Sequence, residues 1–198
     1  MKIKLILIAI IIIAGGLFLF KTNNGGNNMA SEAQASNQNK KVLVAYFSRT
    51  GEQYSVGNIT EGNTAIVAKM IANKTGGDLF EIKVAKDNYP NTYNALVEYA
   101  KKEKQAKARP EIIGKVENFE DYDTIFIGYP NWWADMPMPV YTFLESYDLT
   151  GKNIYHFCTH EGSGGVKREG FALYGHIAQN DRAEADKKVT EWLKGIGF

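Results

Sequence analysis

The sequence contains a single cysteine, Cys158. No intramolecular disulfide can form, and a zinc site built on several thiolates is excluded. Cysteine usage therefore says nothing about the redox compartment. An excess of either charge is also missing, with 23 Lys and Arg against 22 Asp and Glu. That balance leaves no basic footprint for nucleic acid. It also argues against a strongly acidic carrier that finds its partners by long-range steering. No internal repeat is present, and no paired arginines open the chain as a twin-Arg export signal.

Long hydrophobic runs are scarce as well. The exception is residues 5–20, LILIAIIIIAGGLFLF, flanked by Lys4 and Lys21 with Lys2 nearby. The run lacks the polar positions of an amphipathic core helix, and falls a little short of the ~20 residues that span a bilayer. Lysine ends that snorkel to the interface would close the gap. A signal anchor and a cleaved signal peptide are both open readings. The small-x-small site at Ala33-Gln34-Ala35 lies far past the run, which favours the anchor. The N-terminal lysines favour a domain held outside the cytoplasmic membrane. Residues 22–40, rich in Asn, Gly, Ser and Gln, read as a flexible linker. The expected organisation is thus 1–21 anchor or signal, 22–40 linker and 41–198 folded domain, a length suited to one hydrophobic core.

Within the domain, strand and helix patterns alternate. Residues 42–47 (VLVAYF) and 124–129 (TIFIGY) are unbroken apolar runs, as expected of strands buried on both faces. Residues 78–84 and 153–159 give two further strands. Helices are expected over 63–75, capped by Asn63 or Thr64, and over 92–107, 137–147 and 182–194. The last should turn Ala185, Val189, Trp192 and Leu193 inward. Such alternation predicts a three-layer α/β fold with a mainly parallel sheet.

In such sheets ligands bind beyond the carboxyl ends of the strands, where strand order reverses. Three segments occupy that position. Ser48-Arg49-Thr50-Gly51 follows the first strand and resumes at Gly62-Asn63-Thr64 after an insertion at 52–61. Hydroxyls, glycine amides and a helix N-terminus converge there, which suits a phosphate monoester, although a plain capped turn would look the same. Tyr129-Pro130-Asn131-Trp132-Trp133 follows the third strand. Its adjacent tryptophans would make a stacking wall for a flat ligand, or else plug the core or an interface. At least one of the two is expected to pack inward. Thr159-His160-Glu161-Gly162-Ser163-Gly164-Gly165 follows the fourth strand, and its glycines let backbone approach a ring edge. The lone His160–Glu161 pair is a poor metal site, and Cys158 is expected to be an inert core thiol.

YFSRTG, GYPNWWADMP and FCTHEGSG together resemble the loops of the flavodoxin-like superfamily. The likeness is greatest to bacterial members whose phosphate loop carries an insertion between its SRTG and GNT halves. The resemblance implies strand order 2-1-3-4-(5) and an FMN cofactor. It implies that Ser48, Thr50, Gly51, Asn63 and Thr64 hold the FMN phosphate. Pro130, Asn131, Trp132 and Trp133 would line one side of the isoalloxazine, and Thr159, Glu161, Gly162, Ser163 and Gly164 the other. It further implies redox chemistry at the flavin, as an electron carrier with a partner protein or as an NAD(P)H-dependent quinone or flavin reductase.

One departure concerns the apolar stretch 171–174 (FALY). Only about eight residues separate it from Gly162, whereas a parallel crossover takes a dozen or more. The fourth crossover helix is therefore expected to be absent. Residues 171–174 are expected to pair antiparallel as a hairpin strand, or to be no strand at all. The alternative function is a degenerate, cofactor-free binding module displayed on the membrane. A hydrolase using Ser48 or Ser163 lacks a strand–turn–helix nucleophile elbow and an Asp partner.

Overall fold

The computed structural model describes residues 41–163 and 170–198. The anchor or signal segment and the linker lie outside these residues, as does Gly164. None of the described helices is long and apolar enough to cross a membrane.

The chain opens with strand β1 (Val42–Tyr46), every residue of which is buried. Alternate side chains of a strand point to opposite faces, and here both faces are covered. Val42, Val44 and Tyr46 join one apolar cluster, while Leu43 and Ala45 join the other together with Phe47. This is why the run is unbroken rather than alternating. Two short strands follow, β2 (Gly51–Gln53) and β3 (Gly57–Ile59), forming a separate antiparallel hairpin. Helix α1 (Asn63–Thr75) ends at Gly76, whose φ of 66° is the left-handed cap geometry that glycine tolerates. Strand β4 (Asp78–Glu81), helix α2 (Tyr93–Gln105), strand β5 (Thr124–Pro130) and helix α3 (Met138–Glu145) come next. Strand β6 (Asn153–His160), strand β7 (Phe171–Tyr174), helix α4 (Gly175–Asn180) and helix α5 (Arg182–Gly195) complete the domain.

The main sheet has the order β4-β1-β5-β6-β7, and every neighbouring pair is parallel. In terms of its own five strands that is the expected 2-1-3-4-5. Helices α1, α4 and α5 cover one face, with Ala185, Val189 and Leu193 of α5 buried and Trp192 partly so. Helices α2 and α3 supply residues to the cluster on the other face.

Two expectations need correction, and two elements went unsignalled. Residues 171–174 do form a strand, but it lies parallel to β6, with Phe171 opposite Phe157 and Tyr174 opposite His160. The length rule failed because β7 overlaps only the upper part of β6. The chain must descend about three residues of strand, roughly 10 Å, and that needs no helix. None of the described residues of this connection is helical. The cap of α1 is Gly62 rather than Asn63 or Thr64, and it makes no side-chain cap bond. Finally, the 52–61 insertion contributes to a hairpin, and α4 is a helix that the sequence pattern did not signal.

Gly128, in the middle of β5, faces Phe157. A Cβ there would overlap the phenyl ring, with Cε1 at 2.8 Å. Phe157 is buried and cannot swing out. Gly128→Ala is expected to lower stability by about 1–3 kcal/mol, measured as a reduced midpoint in chemical denaturation.

Candidate functional site

The three loops meet at the carboxyl ends of β1, β5 and β6. In the first, Ser48 Oγ accepts a hydrogen bond from the Ala65 amide at 3.1 Å. The Gly62 carbonyl takes the Ile66 amide at 3.2 Å. A helix leaves its first four N–H groups without internal partners, so the Asn63 and Thr64 amides are left as donors for a ligand. Gly62 must be glycine for a steric reason: a Cβ would clash with Ser48 Oγ and lie 2.6 Å from the Arg49 carbonyl oxygen. Arg49 itself turns away, with Nη1 at 2.7 and 2.6 Å from the two Asp87 carboxylate oxygens. The turn therefore offers an anion neutral donors and a helix dipole rather than this guanidinium. Thr50 is exposed, and Gly51 begins β2 with φ of 87°.

The Thr64 hydroxyl lies 2.8 Å from the Thr159 hydroxyl, and both residues are buried. This bond ties the phosphate-side helix to the end of β6. Next to it, the Asn131 amide donates to the Thr159 carbonyl at 2.9 Å, and Asn131 Nδ2 donates to Ser163 Oγ at 2.8 Å. Two side-chain acceptors in this region are buried without a partner, Asn63 Oδ1 and Asn131 Oδ1. A buried acceptor left unsatisfied costs free energy, so these two atoms suit a ligand that brings N–H or O–H donors. Both residues line one cleft of about 400 Å³, along with Pro130, Trp132, Thr159 and Gly162.

The tryptophans divide their roles. Trp132 packs edge-on against Phe47 and Tyr89, with centroids 5.5 Å away in each case. Trp133 is 45 % exposed. Its indole N–H donates to the Val97 carbonyl at 3.0 Å, and Lys101 Nζ sits 5.2 Å from its ring centre. Residues 132–135 form a tight turn closed by reciprocal amide-carbonyl bonds between Trp132 and Asp135 at 3.0 and 3.1 Å. Trp133 and Ala134 stand in the left-handed region, with φ of 55° and 56°, which costs L-residues about 1–2 kcal/mol each. Asp135 anchors the turn. Burial opposes ionisation of its carboxyl, but hydrogen bonds from Tyr141, the Met136 amide and Lys104 hold its pKa below the usual value. Strain of this kind persists where surrounding bonds over-determine the backbone.

Glu161 lines the same cleft and also bridges loop and helix. Its Oε1 accepts the His176 amide at 2.6 Å, and its Oε2 lies 2.8 Å from His176 Nδ1. Gly162 has φ of 83° and donates its amide to His160 Nδ1 at 3.2 Å. Among the described residues no cluster of His, Cys, Asp and Glu could hold a metal ion. The sequence reading missed Gln53, Tyr54 and Tyr93, which also line the cleft. The hairpin carries Tyr54 to within 5.4 Å of the Tyr93 ring, pinned by Glu52, which accepts the Tyr93 amide at 2.8 Å. Their signal was faint: a lone aromatic within a polar insertion, and another at the start of α2.

The flavodoxin family model matches residues 41–180. The chain belongs to the flavodoxin family. Among solved structures, this flavodoxin-family chain is 32 % identical to a candidate flavoprotein of Bacteroides eggerthii, over 81 % of this chain and 99 % of that one, with a TM-score of 0.61. A candidate flavoprotein of Bacteroides uniformis is 30 % identical, covering 78 % and 98 %, with a TM-score of 0.55. A Lactobacillus acidophilus flavoprotein solved in complex with FMN shares the fold at 23 % identity, covering 75 % and 87 %, with a TM-score of 0.52. No curated protein matches the chain.

Two expectations follow. Replacing Ala134 by glycine relieves one left-handed residue, so Ala134→Gly is expected to raise unfolding stability by about 1 kcal/mol, read from denaturant midpoints. The second concerns His160, whose pKa is lowered by burial and by nearby His176, with Glu161 opposing. A depressed folded pKa gives stability that is complete above the ordinary value near 6.5 and is lost as pH falls through the folded value. Melting temperature is therefore expected to fall between pH 7 and pH 5, and to fall less in His160→Asn.

Proposed function

We propose that this chain is an FMN-dependent redox protein whose cleft holds the flavin at the carboxyl edge of the sheet. FMN is the cofactor that family membership supports. The observation that carries the reading is the pair of buried, unpartnered acceptors Asn63 Oδ1 and Asn131 Oδ1 in a single cleft. A phosphorylated ligand bearing several O–H and N–H groups satisfies both. Ser48, the Gly62 turn and the Asn63 and Thr64 amides would hold the phosphate. Asn131, Trp132, Thr159, Gly162 and Ser163 would line the ring. When bound, FMN supplies one- and two-electron chemistry, and the protein's part is to bind, orient and shield it.

Near-neutral charge and an aromatic cleft favour NAD(P)H-dependent reduction of a small quinone or flavin over shuttling between protein partners. The apolar run at 5–20 would tether the domain to the outer face of the cytoplasmic membrane.

The test is a titration of the purified chain with FMN, following flavin fluorescence and the visible spectrum. Quenched, shifted flavin bands are expected. A protein that leaves added FMN free and fluorescent would instead be a cofactor-free binding module. Asn63→Ala separates a ligand-binding role from a structural one. Removing an unsatisfied acceptor should not weaken the apoprotein, but it should weaken FMN binding about fivefold to tenfold, one hydrogen bond's worth.

A further inference from the structure

Tyr89 stands outside the cleft, and nothing in the flavin reading uses it. The residue is buried, yet its hydroxyl ends on a carboxylate. The O–H donates to Glu103 of α2, whose two carboxylate oxygens lie 2.9 and 2.8 Å away. An ionised carboxylate only accepts, so the shared proton belongs to Tyr89 at rest and has one place to go. Burial pushes the Glu103 carboxyl up from its usual value, against the Tyr89 hydrogen bond. That makes it a stronger base than an exposed carboxylate. Burial and Glu103 push the Tyr89 phenol far up as well, so it stays neutral.

The Tyr89 ring also reaches the cleft. It meets Trp132 with centroids 5.5 Å apart and planes at 67°, and Trp132 is a cleft-lining residue. It meets Tyr99, half-buried on α2, at 5.1 Å. Its main chain is pinned on both sides. The amide donates to Asp87 Oδ1 at 3.2 Å, and the carbonyl accepts from Arg49 Nη2 at 3.3 Å. The Arg49 guanidinium carbon lies 5.1 Å from the ring centre. A cation there disfavours a second positive charge on the ring, so an oxidised Tyr89 is driven to shed its proton. The contacts run from an oxidisable indole at the cleft to an oxidisable phenol and then to a base.

We propose that Trp132, Tyr89 and Glu103 form a one-electron relay that carries oxidising equivalents out of the cleft. An oxidant in the cleft takes one electron from the Trp132 ring. Tyr89 returns one electron to Trp132, because a phenol that can lose its proton is oxidised more readily than an indole. The Tyr89 O–H bond breaks, and a new O–H bond forms on Glu103. The net change is one electron from Tyr89 to the oxidant and one proton from Tyr89 to Glu103, leaving a neutral tyrosyl radical. A photoexcited flavin is the oxidant this relay serves, an assignment that rests on the FMN reading. The relay itself does not.

The experiment is pulse radiolysis of the full chain without FMN, using azide radicals, which oxidise tryptophan in preference to tyrosine. Indolyl and tyrosyl radicals are followed by their optical bands and by electron paramagnetic resonance. The indolyl signal is expected to decay as the tyrosyl signal grows, at a rate independent of protein concentration. Trp132→Phe and Tyr89→Phe keep an aromatic ring in place, and each is expected to lower the tyrosyl yield by at least half. Glu103→Gln keeps an acceptor for the hydroxyl and removes the base, so growth is expected to slow by about tenfold or more. Should Tyr89→Phe fail to fold, Glu103→Gln carries the test. A purely structural pair would leave these radical kinetics unmoved. An unchanged yield in Tyr89→Phe, or an unchanged rate in Glu103→Gln, would overturn the relay. Flash excitation of the FMN-loaded chain is expected to give the same tyrosyl radical, and its absence there would overturn the link to the flavin. A chain that refuses FMN yet relays from Trp132 to Tyr89 would uphold the relay and sink the redox reading alone.

Discussion

In the parallel ladder, Tyr46 stands beside Gly128, Gly128 beside Phe157 and Pro130 beside Thr159. Parallel strands run out at the same edge, so this register delivers three separate chain segments to one place. The constraint has a cost, because a parallel sheet must be covered on both faces. β1 meets it by feeding alternate side chains into two cores. Gly128 is the narrow point, since the ring of Phe157 occupies the space that a side chain there would need. The cleft inherits its geometry from that packing.

Across the edge, hydrogen bonds join the loops to one another. The Thr64–Thr159 hydroxyl pair fastens helix α1 to the end of β6, Asn131 reaches both Thr159 and Ser163, and Glu161 fastens the last loop to α4. Among the described side chains at this edge, Asn63 Oδ1, Asn131 Oδ1 and Arg49 Nε are buried without a hydrogen-bond partner. Buried polar groups are nearly always satisfied, so these exceptions mark where the protein is organised around something other than itself. The left-handed turn at Trp133 and Ala134 is a second departure from local comfort, and it falls at the same edge.

Much of this was legible in the sequence. The unbroken runs at 42–47 and 124–129 announce doubly covered strands because burial on both faces removes the usual alternation. α1 matches its expected span because Gly76-Gly77 ends it chemically. The three loops could be located because strand ends were known. The hairpin was not legible: Gly51–Gln53 and Gly57–Ile59 are short and largely polar, and they pair without contributing to the main sheet. α4 begins with glycine and spans six residues, too short for a helical period to emerge. β7 was misjudged because connection length constrains direction only when the overlap of the two strands is known, and overlap is a tertiary quantity. Glu161 could be placed beside the cleft by position, but its bond to His176, fifteen residues on, is a tertiary contact that no local pattern announces.

Gly62 and Arg49 touch, with the Arg49 carbonyl oxygen only 2.6 Å from where a Gly62 Cβ would stand. The two ends of the phosphate turn are therefore joined before the intervening residues 50–61 are counted, and the hairpin is a side branch on a circuit already closed. Lengthening such a branch costs little, since closure entropy grows only with the logarithm of its length. Lineages are thus free to enlarge, trim or replace it, changing what overhangs the cleft through Tyr54, while the start of α1 stays where it is. The anchor and the canopy can evolve on separate clocks.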